Sequence, residues 1–441
     1  MKIRSLIVAA FVLLVLVGTL YWSGKRKPTS QIATASADTP PAILKLDEAA
    51  ITKLELKKKD AGAIVLAKNN SGAWQIIQPQ PLAADQSAVS GALSALSSLN
   101  SERLVEDKAS DLKQYGLDQP ALEVAIAEKD NKAQRLLIGD ETPTRSAVYA
   151  RLAGDPRVFT VASYNKTSID KSLNDLRDRR LLTLNADKIS RIVLIQKNRE
   201  IEFGRDKNEW QILKPGPLRA DSFQVSELAR KLSGARMDLS GSDKDLGEAP
   251  SVFAHATPVA SAKITDQSGT QELQVRKSKD IYYAKSSVVN GTYKVDSDLG
   301  QALDKGLDDF RNKKLFDFGF NDPTKIEMHG GSKAYFLSRN GTDWWSNGKK
   351  MDAGSVQAFI STLRDLSASK FVESGFAKPG MEITVTSEEG RRAEKVSIAK
   401  SGNGYIAKRE KEPTLYHLAS SPVDGLQKAA DAIQPAATPG K

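Results

Sequence analysis

One ordered pattern that occurs three times leaves this chain few ways to fold. Trp74-Gln75-Ile76-Ile77-Gln78-Pro79 leads to Pro81-Leu82 and Asp85, and Trp210-Gln211-Ile212-Leu213-Lys214-Pro215 leads to Pro217-Leu218 and Asp221. A third version, Trp344-Trp345, reaches Asp352 through a shorter loop. The spacing of about 135 residues is domain-sized, and 441 residues are too many for one core and fit about three. Each Asp precedes apolar residues at helical spacing: Val89, Leu93 and Leu96; Val225, Leu228 and Leu232; Val356, Phe359, Ile360 and Leu363. An Asp in that place accepts hydrogen bonds from the open amides of a first helical turn. In the second copy Gln224 completes a capping-box pattern.

A second block recurs further along. Val148-Tyr149-Ala150-Arg151 precedes Val158-Phe159-Thr160-Val161, Tyr282-Tyr283-Ala284-Lys285 precedes Thr292-Tyr293-Lys294-Val295, and Tyr405-Ile406-Ala407-Lys408 precedes Leu415-Tyr416-His417-Leu418. Two short alternating segments around a polar turn predict a β-hairpin. Residues 51–56 with 64–67, 189–196 with 200–203, and 325–328 with 334–337 predict an opening hairpin in each copy. Residues 173–181 (LNDLRDRRL) and 307–315 (LDDFRNKKL) follow the later hairpins of the first two copies. In the third, residues 422–433 have a helical pattern without the Asp-apolar-Arg element, which predicts a truncated module. Alternation along the strands leaves one sheet face solvated or covered by helices. The expected fold is therefore α+β, a transmembrane helix followed by tandem modules of antiparallel sheet plus helices. The expected limits are 1–28 for tail and anchor, 29–42 for a flexible linker, 43–186, 187–321 and 322–433 for the modules, and 434–441 for a disordered tail.

The anchor rests on residues 6–22, LIVAAFVLLVLVGTLYW, flanked by Lys2 and Arg4 and by Lys25, Arg26 and Lys27. About 17 apolar residues lie at the short end of what spans a hydrocarbon core, and Tyr21 and Trp22 sit where interfacial aromatics belong. A cleaved signal peptide is the alternative, but its best site, Ala35-Ser36-Ala37, lies far beyond the apolar run. The basic flanks nearly balance. The commoner arrangement of such an anchor keeps the short tail in the cytoplasm and exports the body, here to the periplasmic side of a bacterial inner membrane. The Ser/Thr/Ala/Pro-rich stretch that follows reads as a spacer.

The net charge of +10 does not make a nucleic-acid surface. Residues 1–42 hold five Lys/Arg against one acid, and each module-sized stretch is within three charges of neutral. A phosphate-binding face needs its charge concentrated. Cysteine is absent, which excludes disulfides, thiolate metal sites and Cys nucleophiles.

The anchor, the Trp strand with its Pro, the Asp-capped helix and the Leu-x-Asp-apolar-Arg-x-basic-basic-Leu segment together resemble the bacterial family catalogued as domain of unknown function 4340. The resemblance covers most of residues 44–433. It implies a membrane-associated protein, in some cases associated with ABC-type transporters of the gliding-motility class, and no known activity.

Among polar candidates, Asp175, Arg177, Arg179 and Arg180 and their counterparts Asp309, Arg311, Lys313 and Lys314 could form a contact surface for a partner or for anionic headgroups. The structural alternative places these bases near a helix carboxyl end, with Asp175–Arg179 and Asp309–Lys313 paired at i,i+4. Trp74, Trp210 and Trp344 fit core anchors, while strand alternation turns Trp345 outward. His255, His329 and His417 occupy non-equivalent positions and form no metal or triad spacing. Carboxylate pairs such as Glu388-Glu389 and Asp308-Asp309 leave a glycosidase-type site open. No cofactor motif is present. The expected function is a non-enzymatic extracytoplasmic scaffold for a membrane-protein partner such as a transporter subunit, without nucleic acid. The alternatives are a glycan- or lipid-binding protein using a cleft between modules, and a hydrolase with an unrecognised carboxylate site.

Overall fold

The computed structural model describes residues 43–437 apart from 130–131, 208 and 331–333. The expected anchor and linker, and the tail from 438, lie outside the described residues. Among the described residues no helix is long and apolar enough to cross a membrane. The fold is α+β, with three antiparallel sheets and nine α-helices among those residues. The chain divides between Asp178 and Arg179 into two compact units.

The first unit holds one nine-stranded sheet. Its edge-to-edge order is Leu82–Ala83, Trp74–Gln78, Ile64–Lys68, Ile51–Lys58, Leu122–Glu128, Ala133–Glu141, Ala147–Leu152, Val158–Ala162 and Arg103–Glu106. The alternation Leu122, Val124, Ile126 puts one face of the sheet in the core. A bulge between Ile51 and Lys53 keeps Ile51, Leu54 and Leu56 on that face. Helix Gln86–Ser97 crosses it with Val89, Ala92, Leu93 and Leu96 buried, the i, i+3, i+4, i+7 stripe of a helix with one covered side.

The second unit repeats this plan twice. Its first sheet has eight strands: Leu218–Arg219, Glu209–Lys214, Arg199–Asp206, Arg191–Gln196, Thr257–Asp266, Gly269–Ser278, Ile281–Ser286 and Tyr293–Val295. Its second has nine: Lys349–Lys350, Asp343–Ser346, Tyr335–Asn340, Lys325–Gly330, Met381–Ser387, Arg392–Ser401, Gly404–Arg409, Leu415–Leu418 and Lys370–Val372. Register is preserved: Leu54 faces Leu66, Ile192 faces Phe203, and Ile326 faces Leu337. The crossing helices Ser222–Ser233 and Ala353–Asp365 bury the same stripe.

Local chemistry explains the helix starts. Asp85 accepts from the Ser87 and Ala88 amides at 3.0 and 3.1 Å, Asp221 from Phe223 and Gln224 at 3.1 Å each, and Asp352 from Ser355 at 2.8 Å. Such a cap contributes about 1 kcal/mol. The residue after the cap ties the helix to the Trp strand. Gln86 accepts from the Trp74 amide at 2.8 Å and donates to its carbonyl at 2.9 Å, and Ser222 accepts from the Trp210 amide at 3.2 Å. The capping box expected at Gln224 does not form, because that side chain accepts instead from Lys305 Nζ at 2.8 Å.

Helix Asp243–His255 belongs to the second sheet alone and covers part of its outward side. Its Phe253 packs with Ala249 and Tyr283, and Arg276 stands 4.8 Å from the Phe253 ring centroid.

The expected truncation of the third module is corrected: its sheet is complete. Helix Ser420–Asp431 buries Val423, Leu426 and Ala430 and delivers the chain to Gln434. The start of the expected disordered tail is pinned, since Asp352 N donates to Gln434 O at 2.9 Å and Ala436 N to Lys350 O at 2.9 Å.

Candidate functional site: the connectors and the charged joint

The two LxDxR-type segments are connectors. A four-residue helix, Leu173–Leu176 or Leu307–Phe310, ends with Arg177 or Arg311 in extended conformation. At the start of each connector the chain pairs with the segment before the preceding capped helix: Ala84 bridges Arg177, and Ala220 bridges Arg311. At the end it pairs with the segment after the following capped helix: Arg180 bridges Arg236, and Lys314 bridges Ser367. The apolar residues divide accordingly. Leu176 lies in the first core, while Leu181, Leu182 and Leu184 lie in the second. Phe310 lies in the second core, while Leu315, Phe316 and Phe318 lie in the third. The residues around 181–184 and 315–318 therefore pack with the module that follows them.

This path corrects the i,i+4 pairs, because the helix ends before Arg179 and Lys313 can take a helical position relative to Asp175 and Asp309. Asp175 instead closes a capping box: its Oδ2 accepts from the Ser172 amide at 2.8 Å and hydroxyl at 2.6 Å. The Ser172 side-chain hydrogen bond, then its amide, hold the Asp175 carboxyl below its ordinary pKa. Asp309 accepts from the Gly306 amide at 2.8 Å. Arg311 pairs with Asp308 at 3.0 Å, donates to Thr414 Oγ1 at 3.1 Å and stacks 3.5 Å from the Phe371 ring centroid. Asp175, Arg179, Arg180, Asp309 and Lys314 are exposed, and Arg177, Arg311 and Lys313 are half-buried.

The second connector also carries a charged joint inside the second unit. Arg219, from the edge strand Leu218–Arg219, reaches Asp317 at 2.8 Å, Glu412 at 3.2 Å, the Tyr416 hydroxyl at 3.3 Å and the Lys314 carbonyl. Arg409 donates to Glu394 at 2.9 Å, to Glu412 at 2.8 Å and to the Leu315 carbonyl. Glu394 also accepts the Asp317 amide at 3.0 Å, and Tyr416 donates to Glu412 at 2.8 Å. Burial opposes the charge on Arg409, but Glu412 and Glu394 outweigh it and hold the guanidinium above its ordinary pKa. Burial pushes the Tyr416 phenol up, with Arg219 pulling against it and Glu412 adding to it.

The preceding connector has a neutral version of the same contacts. Gln271 accepts the Thr183 amide at 2.9 Å, and Ser286 donates to the Leu181 carbonyl at 2.5 Å. Gln271 and Ser286 stand where Glu394 and Arg409 stand in the third sheet, because Leu273 faces Ser286 as Val396 faces Arg409. No spacing in the sequence signals these partners, which lie up to 197 residues apart.

The other candidates fall singly. Trp74, Trp210 and Trp344 are buried in the three cores. Trp345 is half-buried on the opposite face from Trp344. His255 Nδ1 lies 2.9 Å from the Ser251 carbonyl in its own helix, and His417 Nδ1 lies 2.9 Å from Ser369 Oγ across a strand pair. Glu388 and Glu389 form a turn with positive φ, where Glu388 lies 3.7 Å from Arg392. Among the described residues no group of three His, Asp or Glu side chains could hold a metal ion. A cavity of about 380 Å³ in the first unit is lined by Lys58, Gly62, Ile64, Pro79 and Leu173, under the wide turn of the opening hairpin.

The family model described as "Domain of unknown function (DUF4340)" matches residues 74–238 and again 210–379, together well over half of the chain. No curated protein matches the sequence. Among solved structures, a DNA polymerase sliding clamp from Pseudomonas aeruginosa, crystallised with a ligand, aligns over 86% of this chain and 93% of its own at 7% identity. Its TM-score of 0.17 carries no argument about fold or function.

Proposed function

This chain belongs to the domain of unknown function 4340 family, and on that premise we propose that it is a non-enzymatic, membrane-anchored scaffold of the cell envelope. Residues 6–22 tether it to the inner membrane, with the body on the extracytoplasmic side. It serves as an auxiliary component of an ABC-type transporter or similar complex. The observation that carries this reading is the charged joint. Three carboxylates, Asp317 of the connector and Glu394 and Glu412 of the third module, converge on Arg219 of the second module and Arg409 of the third, tying the two modules together. Modules tied in this way lose less conformational freedom on docking a partner than modules free to move.

Phe320 supplies a docking point. It is 97% exposed at the tip of a loop held by Arg364, which donates to the Gly319 carbonyl at 2.7 Å and to Asp322 at 3.0 Å. The equivalent position is Ala186 in the second module and Glu48 in the first, so the fold does not require an aromatic ring there. Affinity purification of the full-length protein from cross-linked membranes, with mass spectrometry, tests the proposal. Expected is a stoichiometric membrane partner containing transporter subunits, with recovery reduced by Phe320→Ala. A clean preparation without a partner overturns it.

A further inference from the structure

The repeat provides an internal comparison for the outward faces of the sheets. On the outer side of the second module's opening strands stand Arg191, Glu202 and Gln211. Glu202 there binds Arg191 at 2.8 Å and Lys214 at 3.1 Å. The same register positions in the first module carry Lys53, Val65 and Gln75. In the third they carry Lys325, Phe336 and Trp345, since Lys325 faces Ser338 and Ser338 faces Trp345. At these three register positions the third module alone carries aromatic side chains, Phe336 and Trp345.

Phe336 is 46% exposed, with Lys325 Nζ 4.7 Å from its ring centroid. The Nε1 of Trp345 is sealed from solvent without a hydrogen-bond partner. A ligand on this face therefore meets the indole ring and not its N–H. Gln75 and Gln211 occupy the same place on exposed surface, so the fold does not require an aromatic ring there. Around the rings the face offers the Ser338, Thr384 and Thr386 hydroxyls, by their register beside Lys325 and Glu327. Its charges cancel locally: Lys350 binds Asp343 at 2.8 Å, Lys325 pairs with Glu327, and Lys395 lies 3.4 Å from Glu382.

We propose that this face of the third module is a binding platform for a neutral oligosaccharide. A pyranose ring presents an apolar C–H face bordered by hydroxyls, which matches aromatic faces bordered by hydroxyls, carboxylates and ammonium groups. The locally cancelled charge disfavours a polyanion or an acidic lipid surface, which needs unpaired cations. A stable protein interface needs about 1,000 Å² with a desolvated centre, whereas two rings set among ion pairs form no continuous apolar area.

The test titrates full-length protein in detergent with the soluble N-acetylglucosamine pentamer and the glucose pentamer, followed by tryptophan fluorescence and calorimetry. Expected is saturable binding of at least one pentamer in the millimolar range or tighter. It should weaken at least about tenfold in Trp345→Gln and in Phe336→Glu, which install the residues that the second module carries at these positions. Trp345→Phe, which keeps an aromatic face, retains more binding than Trp345→Gln. Circular dichroism checks that each variant is folded, and Gln and Glu are residues the repeated fold accommodates. Three results each overturn the proposal: no saturable binding of either pentamer up to about 10 mM, binding indifferent to both substitutions, or loss of a cross-linked protein partner from Trp345→Gln without pentamer binding.

Discussion

Replacing Arg409 by Ser removes one cation from the joint and leaves its partners in place. Glu394, with a side chain 4% exposed, loses its 2.9 Å contact, and the Leu315 carbonyl loses a donor. Breaking a buried pair by removing one member costs about 3–5 kcal/mol. Glu394 keeps the Asp317 amide at 3.0 Å and Arg392 at 3.4 Å, so the lower figure of about 3 kcal/mol applies. If strands Arg392–Ser401 and Gly404–Arg409 exchange through opening of their own sheet, that cost speeds amide exchange there roughly a hundredfold. Hydrogen exchange of the full-length chain, read by mass spectrometry on peptides from these strands, measures it. The decisive variant is Arg409→Ser with Glu394→Gln, which copies the Ser286/Gln271 arrangement of the neighbouring sheet. The introduced carboxamide can accept the Asp317 amide and the introduced hydroxyl can reach the Leu315 carbonyl, so no buried carboxylate is stranded. The double variant should recover at least half of the loss, a coupling of about 1.5 kcal/mol or more. If the two substitutions simply add, or Arg409→Ser leaves exchange unchanged, the joint is not the interdependent network its distances describe.

Three further outcomes follow from local geometry. Asp352→Ala should cost about 1 kcal/mol and raise exchange in the first turn of Ala353–Asp365, while Asp352→Asn keeps most of that stability. Phe318→Ala should destabilise the third core by about 3–5 kcal/mol, whereas Phe320→Ala two residues later changes thermal stability by no more than about 0.5 kcal/mol. Asp175 titrates below its ordinary value because Ser172 binds its charged form. A depressed carboxylate contributes stability above its unfolded pKa and loses it as pH falls through the folded one. Ser172→Ala should therefore raise the Asp175 pKa toward its ordinary value in a carboxyl NMR titration. Its effect on the one-turn helix should be present near neutral pH and vanish in acid.

The modules were legible in the sequence because their determinants are local. Alternation marked the hairpins, Asp85, Asp221 and Asp352 marked the helix starts, and burial of Trp74, Trp210 and Trp344 followed from their apolar neighbours. The connectors were recognised as a recurrent segment, but their shape was not. Their apolar spacing reads as helix beyond Leu176 and Phe310, while the backbone turns extended to form bridges with residues far away in sequence. Helix Asp243–His255 has no counterpart in the other copies and contains Pro250, so no recurrent pattern marks it in the sequence. Its one local signal was the Ser242–Asp245 capping box. The charged joint was invisible for a different reason. Arg219, Asp317, Glu394 and Arg409 resemble ordinary surface charges until the fold brings them together.

The connectors also bear on how such a chain can change length. Arg177 and Arg311 are arginines and Pro435 is a proline, yet all three occupy the same bridge beside a capped helix. That bridge is made by the backbone and is indifferent to the residue that makes it. A gene duplication with its breakpoint between codons 178 and 179 would copy each module together with the apolar residues that enter its own core. The number of modules can then drift by whole units while every core stays filled, and the positions that hold each connector are free to differ, as Gln271/Ser286 and Glu394/Arg409 do.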